Sequence, residues 1–166
     1  MQLPTTVPTG TALHPATDMG LVALTVADLA RSVSFYQDVL GFTLLSRGAD
    51  DAVLGTPATP LLLLHEQPGA PPSPPNATGL YHFAILVPDR AALARSLLHL
   101  AESGYALGGA SDHLVSEALY LSDPDDNGIE IYRDRPREEW PRNADGELEL
   151  VNAPLDLRGL LRELDQ

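Results

Sequence analysis

Leu80-Tyr81-His82-Phe83-Ala84-Ile85-Leu86-Val87 is the stretch on which the reading of this chain turns, because it repeats an earlier one, Gly20-Leu21-Val22-Ala23-Leu24-Thr25-Val26. Shifting the chain by 61 residues lays Leu21 on His82, Ala23 on Ala84, Val26 on Val87 and Asp28 on Asp89. Both stretches are short apolar runs bounded by turn and capping residues, the pattern of a buried strand. Each is followed by an aspartate suited to cap the free amides of a helix. Leu29, Val33, Tyr36 and Leu40 then recur at helical spacing until Gly41, and Leu93, Leu97 and Leu100 do so until Gly104. An internal repeat of this length outweighs any single propensity in deciding the fold.

Working outward, the first copy continues with strand candidates Phe42–Ser46, Asp51–Leu54 and Leu61–His65, the first two separated by Gly48-Ala49-Asp50. The second continues with Tyr105–Leu107, a glycine turn at Gly108-Gly109, then Glu117–Ser122 and Ile129–Tyr132 as a hairpin, with Asn127-Gly128 supplying positive φ. Each copy therefore reads β-α-β-β-β. The expected organisation is an N-terminal arm at 1–18, a first module at 19–67, a proline-rich linker at 68–78, a second module at 79–134 and a tail at 135–166. Five of the eight residues 68–75 are proline, too few backbone donors for a sheet interior. In the tail, Trp140 reads as an anchor at the edge of the core. Leu157, Leu160, Leu161 and Leu164 form one face of a short helix that covers a sheet edge or pairs with a second copy as a homodimer.

At 166 residues and 44% hydrophobic, the chain can bury one sizeable core. Its 10 basic residues, all arginine, stand against 23 acidic ones, and a net charge of −13 repels nucleic-acid backbones and anionic lipid. The partner expected is a small molecule. The absence of cysteine excludes disulfides, thiolate metal sites and a cysteine nucleophile, leaving any metal to His, Asp, Glu or Tyr. With neither a basic, apolar leader nor a run of ~20 apolar residues, a cytoplasmic location is expected. The acidic turn Asp123-Pro124-Asp125-Asp126-Asn127-Gly128 lacks the calcium-loop register and reads as hairpin chemistry. No phosphate loop, nucleophile elbow or dinucleotide fingerprint is present.

Three motifs carry a family resemblance: VxDLxRSxxFYxxxLGF at 26–42, HFAILVPDRAALARSL at 82–97 and DHLVSEALYLSDPDDNGIEIYRDRP at 112–136. Together they resemble the vicinal oxygen chelate superfamily, the group of glyoxalase I, bleomycin-resistance proteins and type I extradiol dioxygenases. The chain looks most like the N-terminal half of the catechol-2,3-dioxygenase-like branch. The resemblance implies an α+β fold in which two βαβββ modules form a cupped, curled mixed sheet, followed here by the C-terminal helix. It also implies a divalent metal in the cup, Fe(II) or Mn(II) foremost and Zn(II) or Ni(II) as alternatives, held from the first and fourth strands of each module. Carried onto this sequence, those positions are Leu21, approximately Leu63, His82 and Glu130.

His82 and Glu130 have donor atoms such metals accept, but a ring-cleaving iron centre uses two histidines and a carboxylate. Leucine has no lone pair to offer. His65, two residues beyond Leu63 on the same strand face, is the candidate third ligand, set against the plainer reading of a solvated strand-end histidine. His113 and Tyr120 are the candidate catalytic pair implied by the resemblance, His113 as acid–base group. Against this, His113 holds a turn with Asp112 and Tyr120 packs its ring. His99 is read as a surface residue, and His14, in the arm, has no role.

Two functions follow as expectations. One is a metal-dependent, extradiol dioxygenase-like enzyme acting on a small aromatic or oxygenated molecule. The other is a metal-free small-molecule-binding protein, or a catalytically degenerate half of a ring-cleavage dioxygenase, with Leu21 and Leu63 as apolar wall. A glyoxalase-type isomerase would call for all four ligand positions.

Overall fold

The structure is a computed structural model that describes His14, Thr17, residues 19–71, Pro74 and residues 78–165. Most of the expected arm at 1–18 and part of the expected linker at 68–78 lie outside the described residues.

The first unit runs β1 (Val22–Val26), α1 (Leu29–Asp38), β2 (Thr43–Arg47), β3 (Asp51–Gly55) and β4 (Pro60–Glu66). The second runs β5 (Phe83–Leu86), α2 (Arg90–Ser103), β6 (Gly109–Asp112), β7 (Ser116–Ser122) and β8 (Gly128–Asp134). The tail adds β9 (Ala153–Pro154) and α3 (Leu157–Leu161). The sheet orders are β1-β4-β3-β2 and β5-β8-β7-β6-β9. In each, the opening strand lies parallel to the closing one and the other pairings are antiparallel, so the α+β fold of two repeated βαβββ units is established.

Helix starts follow the sequence signals. The Asp28 carboxylate accepts from the Arg31 amide at 2.9 Å, and that of Asp89 from the Ala92 amide at 2.7 Å, each satisfying a donor that the first turn leaves free. Gly104 ends α2 in the left-handed region, at φ 69°. Along β1, Leu24 and Val26 are buried while Leu21, Ala23 and Thr25 are exposed. The period of two thus separates a core face from an open face.

One core serves both units. Tyr36 of α1 is fully buried and its ring meets Phe35 and Phe42, while Phe35 also meets Tyr105 of the second unit. The acidic turn between β7 and β8 locks the units together. The Tyr36 hydroxyl donates to the buried Asp123 carboxylate at 2.9 Å. Asp125 accepts from the Ala27 amide at 3.2 Å and pairs with Arg31 at 2.7 Å. Burial, then the Asp123 charge, push the Tyr36 phenol far above its ordinary pKa. The turn is therefore a hairpin connection, as read, that also latches onto α1.

Three expectations change. Tyr105–Leu107 is not a strand. The strand is β6, two residues beyond its end, where the pairing with β7 begins: the Gly108 amide donates to Tyr120 O at 2.7 Å, and Gly109 pairs with Tyr120. Tyr105 instead packs on Phe35 and donates its hydroxyl to Ser122 O at 2.9 Å. In the 123–128 turn positive φ falls on Asp126, at 63°, not on Asn127 or Gly128. Gly128 is needed for another reason, since a Cβ there would run into the Tyr81 carbonyl and the start of β5. Lastly, the tail packs on its own chain. Leu160 is fully buried, α3 lies against α2, and β9 pairs with β6 as a strand the sequence reading lacked. Leu157 and Leu164 are half-buried and Leu161 is exposed, so the leucine face is covered within the chain only in part. Trp140 is half-buried and donates its indole N–H to Arg135 O at 2.8 Å.

Candidate functional site

The site is built on the open faces of the two opening strands. Leu21 precedes β1 and His82 precedes β5, and both line one cleft of about 660 Å³. Phe42, Leu61, Leu80 and Leu86 supply apolar wall, and His82 is the only titratable side chain lining the cleft among the described residues. Leu80 and Leu86 on the cleft wall are exposed at 53% and 57%, and Tyr81, next to Leu80 in the chain, at 88%, unusual values for large apolar and aromatic groups. The Tyr81 ring lies 4.9 Å from that of His82.

Behind His82 runs a chain of polar contacts across the second sheet. His82 Nε2 is 2.9 Å from Glu130 Oε2. The Tyr120 hydroxyl is 2.8 Å from Glu130 Oε1 and 2.9 Å from His113 Nε2. His113 Nδ1 is 2.9 Å from the Val151 carbonyl oxygen. Register explains the convergence: Glu130 lies beside Ala84 on one side and Tyr120 on the other. Burial first, then the hydrogen bond and charge of Glu130, raise the Tyr120 phenol well above its usual range, so it holds its proton. The Asp112 carboxylate accepts from the Leu114 amide at 2.8 Å and holds the turn, leaving the His113 ring to reach Tyr120.

His82, Glu130, Tyr120 and His113 are therefore brought together, and His65 is not. His65 sits on β4 beside Thr25 and Asp51, exposed and outside the cleft wall. Among the described residues no group of three or more His, Asp or Glu side chains is placed to hold a metal ion. Register makes Leu63 the counterpart of Glu130, since Leu63 lies beside Ala23 as Glu130 lies beside Ala84. His82 and Glu130 are of the donor types that Fe(II), Mn(II), Zn(II) or Ni(II) take, but they stop short of two histidines and a carboxylate. The residues present do not fit a complete metal centre. His99, on the surface as read, contacts the Asp38 carbonyl at 3.0 Å.

The sequence reading missed Val151 and Glu117. Glu117 is 3% exposed and draws together Arg90, Arg133 and Arg135, with N–O distances of 2.9, 2.8 and 3.4 Å. An acid in the inward register of an apolar strand, with arginines two apart at the end of the next strand and just past it, was the available signal. These arginines border a second cleft of about 520 Å³, but their charge is met by Glu117, Asp112 and Glu163. It is an outer brace for the tail, away from His82.

The fold and this site define a cupped βαβββ pair. The chain belongs to the Glyoxalase/Bleomycin resistance protein/Dioxygenase superfamily, whose sequence profile matches residues 18–131. It is 47% identical over 155 residues to the catechol-2,3-dioxygenase of Bacillus subtilis (strain 168), an alignment covering 92% of this chain and 54% of that protein. The chain thus spans about half the length of this relative. Among solved structures, a glyoxalase/dioxygenase from Nostoc punctiforme superposes with a TM-score of 0.64 at 26% identity, covering 76% of this chain and 98% of that one. A glyoxylase/bleomycin resistance protein/dioxygenase domain from Frankia sp. EAN1pec gives 0.62 at 25% identity, covering 72% and 98%.

Proposed function

We propose that this chain is a small-molecule-binding member of the superfamily whose cleft takes an aromatic or oxygenated molecule without needing a metal of its own. One observation carries the reading: a single imidazole, His82, stands in an otherwise apolar wall and is braced from behind by Glu130. Such a wall favours a flat apolar body, and the one polar group fixes its orientation through an oxygen substituent. Leu21 extends the apolar surface of the cleft where a lone pair would otherwise stand, and Leu63 puts hydrocarbon at the register position of Glu130. A cytoplasmic setting belongs to the same proposal.

The test uses phenol and catechol as probes on chelator-treated full-length protein. Amide and imidazole NMR shifts at His82, Ala84 and Leu86 should move in a saturable way, and Leu21→Trp, which fills the cleft, should abolish the effect. Saturable binding that appears only after a divalent metal is added would overturn it.

The identity to a catechol-2,3-dioxygenase favours a second reading, a metal-dependent extradiol-type enzyme acting on a small aromatic molecule. It would use Fe(II) or Mn(II) at His82 and Glu130, with His113 and Tyr120 as acid–base and positioning groups. It requires a third ligand, from His65 after rearrangement or from a second copy of the chain in a homodimer. Oxygen uptake with catechol by the iron-loaded protein, lost in His82→Ala, would support it.

A further inference from the structure

We propose that the C-terminal tail is part of the site, with Val151 as a positioning residue. Its carbonyl fixes His113 with the proton on Nδ1, so that the Tyr120 hydroxyl stands between two acceptors and turns from one to the other when a ligand engages Glu130. This rests on the reading of the cleft as a binding site, but its first half stands independently of any ligand.

The argument is a count of donors. A carbonyl oxygen only accepts, so the 2.9 Å contact between His113 Nδ1 and Val151 O requires the proton on Nδ1. A neutral imidazole has one N–H, which leaves Nε2 with a lone pair facing the Tyr120 oxygen at 2.9 Å. On its other side, at 2.8 Å, the Tyr120 oxygen faces Glu130 Oε1. The phenol hydroxyl has one proton for these two acceptors. Glu130 also receives His82 through Oε2. Glu130 stands behind the cleft wall but keeps 14% of its side-chain surface open; a hydroxyl or cation that reaches it there supplies another partner, and the Tyr120 O–H is then released to turn toward His113. No covalent bond breaks in this step, which is a rotation about the phenol C–O bond.

The tail is held where this requires. β9 pairs with β6 so that Ala153 lies beside Asp112 and Pro154 beside Ser111, and two residues before Ala153 the Val151 carbonyl comes within reach of the His113 ring. Leu155 and the fully buried Leu160 anchor the following segment. Val151 itself is 41% exposed, so its carbonyl, and not its side chain, is what this position supplies.

The test reads the ring nitrogens of His113 by ¹⁵N NMR in the full-length protein near neutral pH. Without ligand the expected pattern is a protonated Nδ1 and an unprotonated Nε2 that receives no full hydrogen bond, the Tyr120 proton lying on Glu130. A proton on Nε2 alone, or on both nitrogens, overturns the proposal. Inserting two glycines between Val151 and Asn152, which parts the Val151 carbonyl from its β9 anchor, should shift the ring toward the Nε2–H form, and an unchanged pattern also overturns it. Should that variant fail to fold, Tyr120→Phe decides: Nδ1–H must persist there, and its loss would mean that the phenol, not the tail, sets the tautomer. Adding phenol should move the Nε2 signal in the wild type but not in Tyr120→Phe. If phenol leaves the wild-type Nε2 signal in place although the cleft amides respond, the turning step is wrong; if neither responds, the binding reading fails while the tautomer result still stands.

Discussion

Leu63 and Glu130 hold the same register position in the two sheets, one beside Ala23 and the other beside Ala84. The repeat thus preserved the backbone of the cup while the chemistry of its two halves diverged: hydrocarbon on one side, a hydrogen-bonded carboxylate on the other. Leu21 and His82 make the corresponding pair on the opening strands, and both line the cleft. Restoring a donor on the hydrocarbon side should therefore restore metal binding. Leu21→His is expected to tighten Zn(II) binding by at least about tenfold, since even outer partners of metal ligands are worth that much. Calorimetric titration of both proteins checks it, and equal affinities would contradict the shared geometry of the two positions.

The latch between the units gives a stability prediction. Tyr36→Phe leaves the buried Asp123 carboxylate without its phenol donor, at a cost of about 1–3 kcal/mol. Because the folded-state pKa of Tyr36 is raised, its contribution is fully present below the ordinary value of 10.0 and declines as the pH climbs beyond it. Urea unfolding of the wild type should thus weaken in alkali, and Tyr36→Phe should weaken less steeply.

How much of this was legible in the sequence follows from which interactions are local. The capping aspartates and the helical leucine faces are near-neighbour patterns, and the repeat linking Leu21 to His82 at a shift of 61 residues shows by aligning the chain on itself; together they indicate the βαβββ order. Asp123, Glu117 and Val151 act across long separations in the chain, through partners such as Tyr36, Arg90 and His113, and no spacing rule reports them. The Tyr105–Leu107 expectation failed because Tyr105 is taken up by packing on Phe35, across a long separation in the chain, and pairing with β7 starts only at Gly108. His65 shares a strand face with Leu63, as expected, yet that same register sets it beside Thr25 and Asp51, away from the cleft wall.

Gly128→Ala is expected to perturb the site from behind. The added Cβ meets the Tyr81 carbonyl and His82, backbone that cannot swing aside as a long side chain would. The start of β5 must move, so the His82 imidazole signals should shift and stability should fall by about 1–3 kcal/mol. Gly146→Ala, where open space surrounds the added atom, should leave His82 unmoved despite strain at its φ of 83°.

Acid should loosen the turn before His113. Arg135, bonded through two nitrogens, holds Asp112 at about 2 against its ordinary 3.8, the Leu114 amide assisting and burial opposing. A depressed carboxylate stabilises the fold above its unfolded value and loses that contribution as the pH falls through the folded one. Stability followed by circular dichroism should decline between pH about 4 and 2, and Asp112→Asn should remove part of that slope while lowering stability at neutral pH.

The central claim is that the cup retains its shape and one imidazole but not a full set of metal ligands. Anaerobic calorimetric titration of Fe(II) into chelator-stripped protein tests this most directly. The account predicts no stoichiometric site tighter than about 10 µM. A one-to-one site well below that concentration, abolished in His82→Ala, would contradict it.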